Sequence, residues 1–319
     1  MKTIVTKQIE AAAEVLLNGG IIGMPTETVY GLGGIAYNEK AVKEIYRVKQ
    51  RPFYNPLILH ICGIEQIDMV AAHIPEVAYK LAEEFWPGPM TLVLPKKTEV
   101  PGIVTAEHDT VAIRVPAHPV AQQLLKATGA PVAAPSANPF GRTSPTTAAH
   151  VLEYFEGQIP LILDGGPCEV GIESTIIGFD NGKPVIYRQG TVTEQQIVKI
   201  AGKVDRFVNE EAAPRAPGML SRHYAPKTPL VVTKDVVATA EAYRGKRLGI
   251  ISFSGSILPQ AVSEIVLSRT GSLKEAAANL YRSIHQMDNA AVDLIIAEEF
   301  PATGIGAALN DKLYRASRH

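Results

Sequence analysis

The first candidate chemistry in this sequence is the binding of an anion by two cations at a helix end. The segment 46–52 reads YRVKQRP. A helix from Asn38 is predicted to end here, because Pro52 restricts the residue before it. Lys49 and Arg51 at this frayed end can converge on one polyanion, and arginine offers a two-pronged grip. The helix dipole alone also explains cations at a helix C-terminus, so both interpretations stay open.

An arginine in the middle of a strand is the second candidate. The segment 110–116 reads TVAIRVP. Alternation along a strand puts Thr110, Ala112 and Arg114 on one face. A buried arginine is costly unless it is paired. Arg114 therefore either meets a carboxylate of the protein or waits for the carboxylate or phosphate of a ligand.

Small and hydroxyl-bearing side chains follow at 132–138, which reads VAAPSAN. Ala134, Ser136 and Asn138 share one side, where they allow a ligand to approach closely. A plain turn at Asn138 is the alternative, since the next residue is proline. Ser136 lacks the G-x-S-x-G elbow of a nucleophilic serine. The eight histidines show no H-E-x-x-H spacing, so no metal site is predicted.

The glycine-rich segment 31–36, GLGGIA, formally fits the dinucleotide fingerprint G-x-G-x-x-A. That fingerprint needs a buried strand directly before it and an acidic residue about 20 positions later. Here PTETVY precedes it, and the downstream position falls in the basic region around Arg51. The sequence therefore predicts no dinucleotide site, and it contains no P-loop motif.

Composition narrows the class of protein. The chain has 319 residues, of which 46% are hydrophobic and 20% charged, and a net charge of −1. Residues 1–205 carry −4 and residues 206–319 carry +3, so an anion site must be local. Two cysteines cannot form a disulfide framework. With no apolar run of about 18 residues and no secretion signal recognised, a soluble cytoplasmic protein without membrane contact is expected.

The elements that position these residues alternate between strand-like and helical patterns, which predicts an α/β fold with a sheet that is not purely parallel. Strands are predicted at 20–24, 57–61, 91–94, 111–115, 132–134, 161–163, 175–179 and 185–187. Helices are predicted at 74–86, 118–128, 146–155 and 193–200.

A proline-rich segment divides the chain. Residues 210–229 contain four prolines with little apolar periodicity, which is typical of a stiff linker. After it, strands are predicted at 230–233, 247–253 and 293–300, with a helix at 273–287. The predicted organisation is therefore a first domain over 1–205, a linker over 206–229 and a small α/β domain with a parallel sheet over 230–319.

Taken together, these segments resemble the two-domain threonylcarbamoyl-AMP synthases, whose catalytic module is a YrdC-type domain. The motifs cover nearly the whole chain in order: PTETVYGL at 25–32, KQRP at 49–52 with NPL at 55–57, WPGPMT at 86–91, RVP at 114–116, PSAN at 135–138, ESTI at 173–176, RQG at 188–190, PGM at 217–219 and RHYAP at 222–226.

The resemblance implies a YrdC-like twisted mixed sheet around a concave groove, followed by a smaller Rossmann-like three-layer domain. It implies that ATP, L-threonine and bicarbonate give threonylcarbamoyl-AMP, pyrophosphate and water. The product supplies threonylcarbamoyladenosine modification beside the anticodon of tRNA, through a downstream transfer machinery, so tRNA itself is expected to be an indirect partner. Mg²⁺ is expected together with ATP.

The resemblance also implies roles for individual residues. Lys49 and Arg51 are the expected catalytic residues. The expected threonine pocket is formed by Thr28, His60, Arg114, Ala134 and Ser174. The expected ATP site is formed by Lys49, Arg51, Asn55, Thr110, Ser136, Ser144, Arg188 and Tyr224, with Tyr224 folding over the nucleotide from the linker as a lid.

Two other functions are compatible with parts of the sequence. The first is a non-catalytic module that binds double-stranded RNA in a basic groove, against which stand the slightly acidic charge and the lack of an aromatic RNA-binding motif. The second is carbamoyl transfer to another acceptor, which the linker and the C-terminal domain argue against.

Overall fold

The computed structural model describes residues 2–207, 223–255, 258 and 261–318, and its strands form two separate sheets. Most of the predicted linker, including Pro217, Gly218, Met219 and Arg222, lies outside the described residues. Within the described residues the larger sheet has eleven strands. They are β1 (Ile4–Thr6), β2 (Ile22–Met24), β3 (Gly31–Ile35), β4 (Ile58–His60), β5 (Met90–Pro95), β6 (Thr110–Arg114), β7 (Val132–Ala133), β8 (Leu161–Leu163), β9 (Thr175–Asp180), β10 (Lys183–Arg188) and β11 (Asp205–Arg206).

The larger sheet is mixed, as the sequence predicts. Its order is β1-β8-β2-β3-β7-β4-β6-β5-β9-β10-β11. β4 runs parallel to β6, with His60 opposite Arg114, whereas β5 and β7 run antiparallel to their neighbours β6 and β4. This register places His60 and Arg114 side by side at one end of the two central strands.

Helices pack on the larger sheet, and local interactions explain where α2 begins and ends. They are α1 (Ile9–Leu17), α2 (Glu39–Lys49), α3 (Ile67–Val70), α4 (Glu76–Phe85), α5 (Gly102–Thr105), α6 (Pro119–Thr128), α7 (Ala148–Phe155) and α8 (Glu194–Ala201). Helix α2 begins because the Asn38 side chain accepts hydrogen bonds from two backbone N–H groups of its first turn. It ends at Lys49 because Gln50 takes a left-handed conformation with φ of 53°. None of the helices in the described part of the chain is long and apolar enough to cross a membrane.

The glycine-rich segment forms β3, a strand that the sequence analysis did not predict. A Cβ on Gly33 would lie 2.9 Å from Sδ of Met24 and 3.0 Å from Val132. The glycines therefore let β3 pack closely against its neighbours, and side-chain alternation, the usual signal of a strand, is missing. Strands β1 and β11 were also missed, because runs of three and two residues carry no periodicity.

The second sheet is small and parallel throughout, as predicted. Its strands β12 (Leu230–Thr233), β13 (Leu248–Ser252), β14 (Ser263–Val266) and β15 (Leu294–Glu298) lie in the order β12-β15-β13-β14. Helices α9 (Val236–Ala242), α10 (Leu273–Asp288) and α11 (Ile305–Ala316) accompany it. The sequence predicted three of these strands and α10, and it missed β14, α9 and α11.

The two sheets belong to units that share one apolar interface. Val29, Ile172 and Tyr224 join the same buried cluster as Leu280 and Tyr281 of α10. The closest approach is at Gly171, which has φ of +77°, and a Cβ there would lie 2.4 Å from the carbonyl oxygen of Ala277. Helix α10 therefore lies directly against the chain segment that leads into β9.

Candidate active site

A concave cavity opens at the end of the central strands of the larger sheet. It spans about 530 Å³ of empty space, part of which is open to solvent. Strands β4, β6 and β10 end at it, and the loops that precede β3 and β9 and follow β7 close it. Its lining consists of Thr26, Thr28, Val29, Gly31, Arg51, Ile58, His60, Arg114, Ala134, Pro135, Ser136, Glu173, Ser174, Arg188 and His223. All five residues expected to bind threonine are in this lining, together with three of those expected to bind ATP.

Arg114 is held on three sides by the protein. Its Nη2 lies 2.6 Å from Oε1 of Glu27, its Nη1 donates to the Thr28 hydroxyl at 2.7 Å, and its Nε donates to the carbonyl of Gly88 at 3.2 Å. The arginine thus has the carboxylate partner that the sequence analysis left as one alternative. It still faces the cavity, so the ion pair orients the guanidinium without removing it from a ligand's reach.

His60 is a neutral imidazole beside this guanidinium. Burial, and after it the positive charge of Arg114, lowers the pKa of His60 to about 3. Its Nδ1 is buried and has no hydrogen-bond partner among the described residues. A neutral ring with an unused nitrogen at the cavity wall can accept or donate one hydrogen bond to a polar ligand.

Lys49 lies directly behind the cavity lining, in the last turn of α2. Its ammonium donates to the carbonyl oxygens of Ser136 and Asn138, each at 2.5 Å. Burial, and after it the neighbouring Arg51, holds the pKa of Lys49 well below its usual value. Two of the three ammonium donors are therefore used by carbonyl groups, and no carboxylate of the described residues forms an ion pair with Lys49.

Arg51 and Arg188 complete a cationic wall. Arg51 donates to the side-chain and main-chain oxygens of Asn55 at 2.6 and 3.0 Å, and burial lowers its pKa to about 10. Arg188 donates to the carbonyl and the hydroxyl of Ser174, both at 3.0 Å. The Ser174 hydroxyl also lies 2.7 Å from that of Thr91. These contacts fix the two guanidinium groups in position at the cavity.

The positive charges of Arg51, Lys49 and Arg188 act together on His223. Its pKa is held well below the usual value by burial, and then by the positive charges of Arg51, Lys49 and Arg188. A carboxylate or phosphate of a ligand would relieve the mutual repulsion of these buried cations. Lys49, Arg51 and Arg188 are therefore suited to receive an anion, and His223 lies beside them; we call these three side chains the cationic wall.

Glu173 lines the cavity and was not selected from the sequence, although the quoted motif ESTI contains it. Its Oε1 accepts from the Ser144 hydroxyl at 2.5 Å and its Oε2 accepts from the Tyr281 hydroxyl at 2.8 Å. Glu27 was missed in the same way inside the motif PTETVYGL. Both acids are 6% exposed. The signal in the sequence was the position of each acid inside a motif, directly before a selected residue: Glu27 precedes Thr28, and Glu173 precedes Ser174.

Five expected ATP residues are not in the cavity lining. Lys49, Asn55 and Ser144 lie one layer behind it and contact lining residues. Thr110 lies at the opposite end of β6 from Arg114, about 13 Å along the strand at 3.3 Å per residue. Tyr224 is fully buried, with its ring centroid 5.6 Å from that of Tyr281.

The donor set does not form a cage for a metal ion. No cluster of three or more His, Cys, Asp or Glu side chains able to hold a metal occurs among the described residues. The two acids at the cavity are already engaged, Glu27 by Arg114 and Glu173 by Ser144 and Tyr281.

Comparison with known proteins identifies the family. The family model described as telomere recombination (Sua5_yciO_yrdC) matches residues 14–190. The model described as the C-terminal domain of threonylcarbamoyl-AMP synthase matches residues 192–318. Fold and motifs thus point to the same family across both parts of the chain.

Individual relatives agree over the full length. The chain is 41% identical to the threonylcarbamoyl-AMP synthase of Pyrococcus abyssi and 40% identical to that of Bacillus subtilis, covering 97% of this chain in each case and 94% and 93% of the relatives. It superposes on the crystal structure of P. abyssi Sua5 complexed with L-threonine with a TM-score of 0.92 and 40% identity, covering 99% of this chain and 98% of that one. The predicted fold and enzyme class are confirmed: the chain belongs to the family of two-domain threonylcarbamoyl-AMP synthases, nucleotidyltransferases of tRNA threonylcarbamoyladenosine modification.

Proposed function

We propose that this chain makes threonylcarbamoyl-AMP from L-threonine, bicarbonate and ATP in the cavity described above. The observation that carries the proposal is the position of the oriented Arg114 guanidinium in the same cavity as the cationic wall. Threonine presents a carboxylate, and ATP presents a polyphosphate. The cavity offers a separate cationic site for each.

The threonine end is the pocket around Arg114. We assign the carboxylate of threonine to Arg114 and its polar groups to Thr28, His60 and Ser174, while Ala134 leaves room for the substrate. His60 stays neutral at physiological pH because its pKa is about 3, so it adds no charge next to Arg114. The threonine amine is then free to react with bicarbonate, giving a carbamate and water.

The nucleotide end is the cationic wall. The carbamate oxygen attacks the α-phosphorus of ATP, the bond from that phosphorus to the bridging oxygen breaks, and pyrophosphate leaves. This transfer needs no nucleophile from the protein. It needs two anionic reactants held in line and the charge of the leaving pyrophosphate neutralised, which Lys49, Arg51 and Arg188 would do.

The remaining ATP residues are assigned by their position. Ser136 lines the cavity, whereas Asn55 and Ser144 hold Arg51 and Glu173. The β4–β6 surface runs from the cavity past Ile58 and Ala112 towards Thr110, and its apolar side chains would accept the base and sugar. Tyr224 would act as the lid together with His223, which already lies at the cavity.

The wider setting follows from the same assignment. Mg²⁺ accompanies ATP as part of the substrate. The product is a mixed anhydride that water hydrolyses, so a downstream tRNA-modifying machinery in the cytoplasm would consume it. We also propose the division of the chain into residues 1–205, 206–229 and 230–319.

The test is a mass-spectrometric search for threonylcarbamoyl-adenylate after mixing the protein with ATP, Mg²⁺, bicarbonate and L-threonine. Product that disappears when any one component is omitted, and when serine replaces threonine, is the expected result. Pyrophosphate release without that product would indicate another acceptor. Binding of double-stranded RNA with steep salt dependence and no turnover would instead favour the RNA-binding module.

A further inference from the structure

A tyrosine of the C-terminal domain forms a hydrogen bond with a residue that lines the cavity. Tyr281 lies in the middle of α10, is fully buried, and donates its hydroxyl to Oε2 of Glu173 at 2.8 Å. These two residues are 108 positions apart in the chain. Glu173 lines the cavity, so Tyr281 is separated from it by a single carboxylate.

Glu173 is in turn linked to two residues assigned to ATP, Ser144 and Arg188. Its other oxygen accepts from the Ser144 hydroxyl at 2.5 Å, and the Ser144 carbonyl lies 3.2 Å from Nε2 of His285, also on α10. The next residue in the chain is Ser174, which accepts both hydrogen bonds of Arg188 described above. A shift of Glu173 would therefore displace Ser144 directly and Arg188 through Ser174.

The phenol is a dependable donor at this position. Burial, and after it the Glu173 charge, holds the pKa of Tyr281 well above its usual value, so its proton remains in place at physiological pH. Helix α10 is held next to Glu173 by the close contact of Ala277 with Gly171, which lies two residues before Glu173. A second residue of the C-terminal domain supports the same wall, since Lys312 of α11 donates to the carbonyl of Gln189 at 3.0 Å, next to Arg188.

We propose that Tyr281 is a positioning residue for the nucleotide: through its hydrogen bond to Glu173, the C-terminal domain sets the geometry of Ser144 and Arg188 in the ATP site. The inference rests on the proposed function, because it concerns the site assigned above to ATP. In this proposal, a residue of the C-terminal domain affects how the first domain binds ATP.

The decisive variant is Tyr281→Phe, which keeps the buried ring and removes only the donor. Initial rates of pyrophosphate release are measured against ATP and, separately, against threonine. We expect the KM for ATP to rise about tenfold, equal to about 1.4 kcal/mol, with kcat within about twofold. The KM for threonine should rise clearly less, because its pocket shares only Ser174 with this chain of contacts. The control is Tyr243→Phe, a partly exposed tyrosine of the same domain whose kinetics should match wild type.

Two further measurements separate positioning from loss of structure. Tyr281→Phe should add no further increase in the KM for ATP in a Glu173→Met background, since methionine removes the carboxylate that accepts the Tyr281 hydrogen bond. The thermal unfolding midpoint should stay within about 3 °C of wild type. If Tyr281→Phe does not fold, Glu173→Met alone removes the acceptor of the same hydrogen bond and must raise the KM for ATP more than the KM for threonine.

The outcomes are distinct. An unchanged KM for ATP in a folded Tyr281→Phe protein overturns the inference while leaving the proposed function intact. Proportional losses for both substrates, with a lowered unfolding midpoint, also overturn it, because they show a purely structural role. A wild-type protein that makes no threonylcarbamoyl-adenylate overturns the proposed function and the inference together.

Discussion

The guanidinium of Arg114 and the carboxylate of Glu27 form an ion pair of 2.6 Å in which both side chains are more than nine-tenths buried. Coming from the end of β6 and from the loop before β3, they meet at the cavity. The pair holds Arg114 in one orientation while leaving it in contact with the cavity. In the proposed function, this ion pair orients Arg114 towards the carboxylate of threonine.

Arg114→Ala is predicted to lower kcat/KM for threonine at least about a hundredfold, because a charged hydrogen-bond partner of the substrate is lost. It also leaves Glu27 buried without its cation, which costs about 3–5 kcal/mol of stability. The double variant Arg114→Met/Glu27→Gln removes both charges and should recover much of that stability without recovering activity. Full threonine turnover in either folded variant would contradict the assignment of Arg114.

Lys49→Met is predicted to lower kcat/KM for ATP about a hundredfold while leaving threonine binding, measured by calorimetry, unchanged. The reason is the role proposed for Lys49, which forms no ion pair with a carboxylate of the described residues and would neutralise phosphate charge. Lys43→Met is the matched control on the same helix, where the side chain is 60% exposed and pairs with Glu39. Equal effects of the two substitutions on ATP would show that Lys49 acts only through the general charge of the helix.

Stability is predicted to fall with acid through buried neutral histidines. His150 stacks on His285 across the domain interface with ring centroids 3.9 Å apart, and burial lowers the pKa of His150 to about 3. Since an unfolded histidine titrates near 6.5, the unfolded state binds the extra proton between about pH 6.5 and 3. The free energy of unfolding should therefore drop by about 1.4 kcal/mol per pH unit for this residue in that window.

The measurement is urea denaturation at several pH values from 7 to 4. His150→Phe keeps a ring against His285 and removes the titrating group, so its stability should depend less steeply on pH than that of wild type. Identical slopes for the two proteins would show that His150 is not neutral and buried in solution.

Two glycines with nearly the same backbone angle provide a test of the domain interface. Gly171 and Gly182 have φ of +77° and +76°, but a Cβ on Gly171 would lie 2.4 Å from the backbone of α10, whereas a Cβ on Gly182 meets nothing within 4 Å. Alanine at either position pays the left-handed strain of about 1–2 kcal/mol. Only Gly171→Ala should cost several kcal/mol more in denaturant unfolding. Equal losses would mean that α10 does not contact this segment in solution.

Local structure in this protein was largely readable from the sequence. Asn38 sets the start of α2 through its own side chain, and the apolar spacing of 273–287 predicted α10 nearly to the residue. Strands with clear apolar runs, such as β8 and β12, were predicted at their observed bounds. Strand β3 was not, because its glycines are chosen for close contacts with residues of other strands.

The sequence by itself determined the family, the helices and strands with regular patterns, and the cations Lys49, Arg51 and Arg114, because motif order and local periodicity are properties of the chain alone. Only the tertiary structure decided what those cations meet. The acceptors of Lys49 lie 87 and 89 residues away, and Tyr281, which donates to Glu173, lies 108 residues away in the C-terminal domain. Such contacts depend on strand order and on how α10 packs, and no local spacing encodes them. Burial then fixes the charge of each group, since the low polarity around His60 and Lys49 exists only once the sheet and helices have closed over them.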